Sequence, residues 1–468
     1  MDTPHGSSAG DGDVHLTQIE RSTHRALENI GFEGFEEDAS FIGPQDRVKF
    51  PRSLDRQSPG FHAGRLAANV WGAAMMEEYR KCECETLGCV KVSILGTRGV
   101  PAQYGGFETA VEEIGSRLAT RGYDVTVYCR NPGQTLTSYA GMTLVNLPAI
   151  RHRVAETLSH TSLSAAHAAI KDRPDVALVM NAGNAPLLRP LRAAGIPVAV
   201  HLDGLESQRE KWRGAGATYY RWAERASVRS GTEVVSDCNA ISNYVLRTYG
   251  RKSWVIPYGA EVIEPGSGRL DELNLVRRDF HLLIARMEPE NHVLEAVHGY
   301  RLSEETRPLI VVGSAPYSQW YIDQVTRAAD DDPRIRFLGG VYDQDLLNQL
   351  YANTRTYIHG HSVGGTNPSL LRAMGAGAPV LAFDCEFNRE VTADRALLWS
   401  SADDMTRLMD DLADGELEPV LRELSDAGKR RIEEHYQWDS VTDEYEKLLQ
   451  HLQRADRGPD RRIEAARP

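Results

Sequence analysis

The stretch VKVSILGTRGVPAQYGGFETAVEEIGSRLATRGYDVTVYCR, residues 90–130, decides the fold class of this chain. It opens with VKVSILG, a short, mainly apolar and β-branched run ending in glycine, which is typical of a buried parallel strand. A glycine-rich loop follows, and apolar residues from Phe107 to Leu118 then recur at helical spacing until Gly122. The run YDVTVYCR predicts a second strand. Strand, loop, helix and strand together predict one βαβ unit.

The same alternation continues along the rest of the chain. DVALVMN, PVAVHLDG, TEVVSDC and SWVIPYG predict further strands of a first half, and FHLLIARM, RPLIVVGSA, RIRFLGGV, TYIHGHS and PVLAFDC predict those of a second half. Regular alternation of this kind is typical of doubly wound parallel sheets. We therefore predict an α/β protein with two Rossmann-like domains that face each other across an interdomain cleft.

The sequence divides into five predicted segments. Residues 1–88 are rich in Gly, Ser, Asp and Pro with little periodicity, which predicts a partly disordered extension. Residues 453–468 are charged, which predicts a disordered tail. The predicted organisation is an extension over 1–88, a first Rossmann-like domain over 89–258, a second over 259–430, a helix over 431–452 that crosses back to the first domain, and a tail over 453–468.

Composition excludes several classes of protein. The 468 residues carry a formal net charge of −13, whereas a general nucleic-acid binder needs a basic face. No run of about 18 or more apolar residues occurs, so no membrane-spanning helix is predicted. The N-terminus lacks the basic start and apolar core of a signal peptide, which predicts a cytoplasmic protein. Three cysteines crowd into KCECETLGC, but no Cys or His pair follows at zinc-finger spacing, so no metal site is predicted.

Two loops are predicted to hold an anionic ligand, because ligands of open α/β sheets bind beyond the carboxyl ends of the strands. In GTRGVPAQYGGFETA, Gly105 and Gly106 let the backbone approach a ligand just before a helix N-terminus. The spacing is not GxGxxG, so the usual dinucleotide fingerprint is absent. In LLIARMEPENHVLEA, Arg286 stands at a strand end, where its planar guanidinium can clamp a diphosphate. The plainer interpretations are a glycine turn and a surface salt-bridge cluster.

A third loop, HGHSVGGTNPSLLRAMGAG, follows a strand that ends at His359. Pro368 suits the first position of a helix, and Asn367 suits its cap. The backbone N–H groups from Thr366 to Leu370 are therefore expected to face a phosphate at this helix N-terminus. The alternative is a plain connector, but the loop is long and polar for that.

Together these segments resemble the family 4 retaining glycosyltransferases, and most closely a bacterial branch that contains polysaccharide rhamnosyltransferases. The resemblance extends over residues 90–449. Its motifs are GTRGVPAQYGGFET, LDGLE with a following KW, IPYGAE, ARMEPEN, FLGGVYD and HSVGGTNPSLL, in this order. The resemblance implies the GT-B fold, with an acceptor domain followed by a donor domain, a nucleotide-sugar donor as substrate, and no cofactor or metal ion.

The resemblance also implies roles for individual residues. Residues expected to bind the donor are Gly105, Gly106, Arg286, Asn291, Gly365, Thr366, Asn367, Ser369, Leu370 and Arg372. Residues expected to take part in catalysis are Arg286, Asp203 and His160. Residues expected on the acceptor side are Arg98, Tyr104 and Glu108.

Two positions depart from the broader family pattern. Many members carry two glutamates eight positions apart at the donor loop, where this chain has Gly364 and Arg372. An arginine can only donate to the ribose hydroxyls from which a glutamate accepts, so we expect donor affinity or nucleotide choice to differ. Asn291 stands where other members often have a phosphate-binding lysine, and we interpret this as a feature of the branch.

The implied activity is retaining transfer of a sugar, with L-rhamnose from dTDP-rhamnose as the candidate donor, to a polyprenyl-linked saccharide acceptor in cell-surface polysaccharide biosynthesis. The segment KWRGAGATYYRWAERASVR mixes aromatic and basic side chains, which suits contact with the inner face of the plasma membrane as well as an ordinary domain helix. Two alternatives stay open. An epimerase would convert the donor alone, and a non-catalytic sugar-nucleotide binder would explain Arg372.

Overall fold

The protein is described here from a computed structural model. The described residues are 89–102, 105–130, 133, 135–150, 155–202, 204, 215–264, 266–314 and 319–456. Four expectations from the sequence lie outside this part of the chain: the extension over 1–88, the tail from residue 457 onwards, and the site residues Tyr104 and Asp203.

The described residues of the first half form an eight-stranded sheet in the order β3-β4-β2-β1-β5-β6-β7-β8. All neighbouring strands are parallel except β3 and β4. The order reverses at β1, which is the arrangement of a doubly wound fold. The strands are β1 (Lys91–Leu95), β2 (Asp124–Cys129), β3 (Ser138–Tyr139), β4 (Met142–Asn146), β5 (Val176–Met180), β6 (Val198–Leu202), β7 (Glu233–Ser236) and β8 (Trp254–Val255).

In the part of the second half that the structure describes, six strands form a wholly parallel sheet in the order β11-β10-β9-β12-β13-β14. Here the order reverses at β9, so both halves have the Rossmann arrangement and the predicted fold class is confirmed. The strands are β9 (His281–Ile284), β10 (Leu309–Val312), β11 (Ile335–Gly339), β12 (Thr356–His359), β13 (Val380–Phe383) and β14 (Leu397–Trp399).

Helices connect the parallel strands and cover the sheets. In the first half they are α1 (Gly106–Thr120), α2 (Ala155–His167), α3 (Leu188–Ala193), α4 (Ala215–Ser230) and α5 (Asn239–Tyr249). In the second half they are α6 (Val293–Leu302), α7 (Gln319–Ala329), α8 (Gln344–Asn353), α9 (Pro368–Gly375), α10 (Glu386–Thr392), α11 (Ala402–Ala413) and α12 (Glu418–His435), and α13 (Trp438–Asp456) ends the described chain.

Apolar periodicity explains how α1 packs. Val111, Ile114 and Leu118 are almost fully buried, and they lie on one face of the helix as their spacing predicts. The same core contains Val92 and Ile94 of β1. Burying each such side chain stabilises the fold by about 1.5–3 kcal/mol, so this apolar face anchors α1 against the first sheet.

The last helix returns to the first half of the chain. In α13, Asp439 accepts a hydrogen bond from Arg117 Nε at 2.9 Å, and Glu446 accepts one from Arg121 Nη1 at 2.9 Å. Arg117 lies in the last turn of α1, and Arg121 is the residue that follows the helix. The backbone N–H of Ala260 donates to the carbonyl of Tyr436 at 2.7 Å. These contacts join the segments on either side of the cleft, and α13 extends to Asp456, into the segment predicted as a tail.

Sequence reasoning missed two pieces of sheet. The antiparallel hairpin of β3 and β4 turns at Ala140 and Gly141, both of which have positive φ. Its first strand has only two residues, too few for an alternating pattern to be recognised. The three-residue strand β14 was missed for the same reason.

Candidate functional site

A cavity of about 120 Å³, partly open to solvent, lies where loops of the two halves meet. The loops that form it follow strands β1, β8, β9, β12 and β13, so it lies beyond the carboxyl ends of both sheets. The lining residues are Gly106, Tyr258, Arg286, Asn291, His361, Ser362, Val363, Gly364, Gly365, Thr366, Asn367, Pro368, Phe387 and Asn388.

The loop after β9 brings Arg286 to the cavity. The Arg286 carbonyl accepts hydrogen bonds from Asn291 Nδ2 at 2.7 Å and from the Glu288 N–H at 2.8 Å. The Asn291 side chain is almost fully buried, so it orders the loop from inside. The Arg286 side chain is 38% exposed and lies 3.6 Å from a Glu288 carboxylate oxygen. This leaves the guanidinium accessible to an anionic ligand in the cavity.

The loop after β12 lies beside the Arg286 loop, where the Ser362 N–H donates to the Glu290 carbonyl at 3.0 Å, and it ends in the predicted cap. Asn367 Oδ1 accepts from the Ser369 N–H at 3.0 Å and from Ser369 Oγ at 2.7 Å. Pro368 is the first residue of α9, where its missing N–H costs nothing. Local sequence therefore explains why the helix begins at this point.

The amides at this helix N-terminus differ from the expectation. The Thr366 N–H donates to Asp237 Oδ2 at 3.0 Å, and the Ser369 N–H is held by the Asn367 cap. Pro368 has no N–H to offer. The prediction that all amides from Thr366 to Leu370 face a phosphate was therefore wrong for these three positions, because protein acceptors or ring closure already satisfy them.

The first half contributes the start of α1. A Cβ atom at Gly106 would lie 3.0 Å from Pro368 Cγ, so the N-termini of α1 and α9 approach each other across the cavity and a larger residue at 106 would press them apart. Gly105, with φ of 116°, precedes it. The backbone N–H of the exposed Arg98 donates to Glu108 Oε1 at 3.0 Å. Of Arg98, Gly105, Gly106 and Glu108, only Gly106 lines the cavity.

Among the described residues, five predicted donor or catalytic residues do not line the cavity: Gly105, described above, and four others. His160 is buried in α2 and bonds through Nε2 to the Cys129 carbonyl at 3.0 Å. Leu370 is fully buried, and Ser369 accepts from the Tyr357 hydroxyl at 3.1 Å. Arg372 bonds to α8. The roles assigned to these four stay predictions, although their contacts already explain their positions structurally.

Several lining residues were quoted as sequence motifs without being assigned a role. Tyr258 of IPYGAE and His361 and Ser362 of HGHS all reach the cavity. Ser362 Oγ lies 2.9 Å from His292 Nε2, and Asn388 Nδ2 donates to the His361 carbonyl at 2.9 Å. The motif positions were visible in the sequence, but nothing local could show which side of each loop faces the ligand.

Another residue that was missed, His201, lies beneath the first-half wall of the site. Its ring packs edge-on against Phe107, with centroids 5.5 Å apart, and is tilted against Tyr258 at 5.9 Å. Burial lowers the pKa of His201 to about 4. The imidazole is therefore neutral near pH 7 and adds no positive charge beside the cavity. Among the described residues, no group of three or more His, Cys, Asp or Glu side chains could hold a metal ion.

Buried histidines near the site predict a pH-dependent stability. Burial lowers the pKa of His359 to about 3, against an unfolded value of about 6.5. The stabilisation is present above pH 6.5 and is lost as the pH falls, because only the unfolded chain takes up the proton. Between pH 7.5 and 5.5, the free energy of unfolding is expected to fall by roughly 1 kcal/mol less in His359→Gln than in the unaltered protein. Urea denaturation at the two pH values measures this difference. His435→Gln is the control, because the His435 side chain is half-exposed. An unchanged pH dependence in His359→Gln contradicts the prediction.

Two family models match parts of this chain. Residues 279–414 match the family model "Glycosyl transferases group 1". This part of the chain is therefore similar to group 1 glycosyltransferases. It contains β9, β12 and most of the residues that line the cavity. Residues 89–261 match a second model, described as "Domain of unknown function (DUF1972)".

One curated relative and two solved structures extend the comparison. The chain is 27% identical over 177 residues to O-antigen chain mannosyltransferase B of Escherichia coli, which is 37% of this chain and 46% of the relative. The match thus spans less than half of that protein. Sucrose-phosphate synthase of Thermosynechococcus elongatus superposes with a TM-score of 0.67 at 18% identity, covering 78% of this chain and 100% of the other. Anabaena HepE in complex with UDP-glucose superposes with a TM-score of 0.63 at 17% identity, covering 77% and 99%. These structures share the GT-B fold, as predicted.

Proposed function

We propose that this protein is a glycosyltransferase that moves a sugar from a nucleotide donor to a saccharide acceptor in cell-surface polysaccharide biosynthesis. The observation that carries this proposal is the cavity between the two sheets, which Arg286 and the Gly364–Pro368 loop both line, in a part of the chain that matches the group 1 glycosyltransferase model. A guanidinium beside a glycine-rich loop suits a diphosphate. The described complex of HepE with UDP-glucose and the O-antigen relative support the same class of substrates.

The proposed chemistry is retaining transfer. An acceptor hydroxyl attacks the anomeric carbon from the face of the leaving group, so a new C–O bond forms as the bond to the diphosphate breaks. The nucleoside diphosphate leaves, and one of its phosphate oxygens takes the hydroxyl proton. Arg286 stabilises the charge that develops on this leaving group, a role that a metal ion would otherwise fill. Activity that persists in EDTA is the expected result.

The donor sugar is the finer part of the proposal. The sequence motifs support L-rhamnose, whereas the curated relative is named a mannosyltransferase. Thermal shift with dTDP-rhamnose, nucleotide-linked mannose and UDP-glucose distinguishes them, because a bound ligand raises the melting temperature by mass action. Donor turnover that requires a saccharide acceptor supports the transferase, and conversion of the donor alone would identify an epimerase. Tight binding of every donor without turnover contradicts the proposed activity.

Peripheral contact with an anionic membrane is a further part of the proposal. Arg221, Arg225 and Arg229 are exposed at four-residue spacing along α4, and Trp222 beside them is 52% exposed. Tyr219, in contrast, is partly buried and donates to the Gly183 carbonyl at 2.7 Å. Basic and aromatic side chains on one helix face suit a lipid interface, at which a polyprenyl-linked acceptor would lie. Among the described residues, no helix is long and apolar enough to cross a bilayer.

Charge reversal tests this contact. Each arginine near an anionic surface contributes about 1 kcal/mol to binding, so R221E together with R225E is expected to reduce flotation with phosphatidylserine-containing liposomes at least about tenfold. The matched control is R422E with R430E, because both residues are exposed on α12. Equal flotation of the two double variants, or no flotation of the unaltered protein, contradicts the membrane contact.

A further inference from the structure

Two carboxylates join the sheet domains by accepting from backbone N–H groups at or just before the start of each other's helices. Asp237 follows β7 in the first half, and its Oδ2 accepts from the Thr366 N–H at 3.0 Å just before α9. Glu390 of α10 makes the opposite contact, accepting from the backbone N–H groups of Asn239 at 2.7 Å and Ala240 at 3.0 Å at the start of α5. Asn239 Nδ2 adds a third bond to Glu390 at 2.8 Å. Each half therefore supplies a negative charge to a helix N-terminus of the other.

The Asp237 contact is buried and closely fitted. Asp237 is fully buried and Thr366 is 3% exposed. Thr366 Oγ1 donates to the Asp237 carbonyl, which adds a second bond between the same two residues. A Cβ atom at Gly365 would overlap the Asp237 carboxylate, so only glycine fits beside it. The loop is thus held at a defined position before any ligand enters the cavity.

This contact has a consequence for an anionic ligand. Thr366 lines the cavity, and its N–H lies one residue before the Asn367 cap of α9. The Asp237 carboxylate already accepts from that N–H. A phosphate oxygen at this position would compete with the carboxylate for the same donor and would meet a like charge where water is excluded.

We propose that Asp237 is a positioning residue that competes with the diphosphate for the Thr366 amide and so prevents tight retention of the nucleoside diphosphate product. This inference rests on the proposed function, since it needs a diphosphate in the cavity. In the empty site Asp237 holds the donor loop in place. After transfer, its charge favours departure of the product, a step that limits turnover in many enzymes.

Asp237→Asn tests the proposal, because asparagine keeps the shape and an oxygen for the Thr366 N–H but removes the charge. We expect the dissociation constants of UDP, GDP or dTDP, whichever bind, to fall about five- to tenfold in calorimetry, a size appropriate to a nearby like charge. With donor and acceptor, KM and kcat are expected to fall together because product is released more slowly. A purely structural role predicts weaker binding instead. Asp237→Ala, which also removes the charge, is the second variant if thermal unfolding shows that Asp237→Asn does not fold.

Two further variants serve as comparisons. Asp343 caps α8 within its own domain, accepting from the Asp345 and Leu346 N–H groups at 3.1 Å, so Asp343→Asn is expected to leave these dissociation constants unchanged. Glu390→Gln weakens the opposite cap and is not expected to tighten binding. If the unaltered protein binds nucleoside diphosphates but Asp237→Asn binds them equally or less tightly, the inference is wrong and the proposed function stands. If the unaltered protein binds none of them, both are wrong.

Discussion

Arg286→Ala is expected to weaken binding of a nucleoside diphosphate roughly ten- to a hundredfold, because hydrogen bonds to charged groups contribute about 1.5–3 kcal/mol. Turnover with saturating donor is expected to fall by a further factor of about 10² to 10³, since charge on the leaving group increases in the transition state. Calorimetry with UDP, GDP and dTDP measures the first effect, and the rate of donor consumption with acceptor measures the second. The reason for both is that Arg286 lines the cavity with an accessible guanidinium.

Two properties of this position make the test specific. The Arg286 side chain is 38% exposed and its ion pair with Glu288 is long, at 3.6 Å, so the free energy of unfolding should change by no more than about 1 kcal/mol. Arg286→Lys is the matched control, because it keeps the charge but loses the planar fork that contacts two oxygens at once. We expect an intermediate effect on binding. Unaltered affinity and turnover in Arg286→Ala would exclude this cavity as the donor site.

The contrast between the two walls of the cavity shows which features a single sequence can predict. Asn367 and Pro368 were predicted to begin a helix, and they do, because capping depends on neighbours within three residues. The Thr366 amide was expected to face a phosphate, but it bonds to Asp237, 129 positions away in the chain. Local patterns do not specify which loop of one sheet meets a loop of the other, so the walls were predictable and their mutual contacts were not.

The same limit explains the histidines. His160 was assigned to the site through the family resemblance, yet it is buried in α2 against the Cys129 carbonyl. His201, within the first-half sheet itself, packs against Tyr258 at the cavity. One-residue alternation in a strand decides which face a side chain takes, but a strand buried on both faces gives no polarity signal to identify the face.

Arg372→Glu is expected to lower the free energy of unfolding by about 1–3 kcal/mol, the usual cost of leaving partly buried hydrogen-bonding groups without their partner. Arg372 Nε donates to Asn348 Oδ1 at 2.9 Å, and its two terminal nitrogens donate to Gln344 Oε1 at 2.8 Å and to the Gln344 carbonyl at 2.9 Å. The guanidinium also lies 5.5 Å from the centre of the Tyr351 ring. A glutamate would direct a carboxylate at the Gln344 carbonyl, which can only accept. Urea denaturation measures the change.

The affinity for donor decides what this substitution means for function. In the resemblance to family 4 enzymes, a glutamate at this position would accept from the donor ribose, so Arg372 alone suggested a non-catalytic binder. The structure gives the arginine another role, since it fastens α9 to α8 and does not line the cavity. We therefore expect Arg372→Glu to leave nucleoside diphosphate affinity unchanged or lower, and Arg372→Gln, which keeps a donor group without the charge, to lose less stability. Tighter binding in a stably folded Arg372→Glu would contradict this, because it would mean that the chain has lost a ribose contact that glutamate restores.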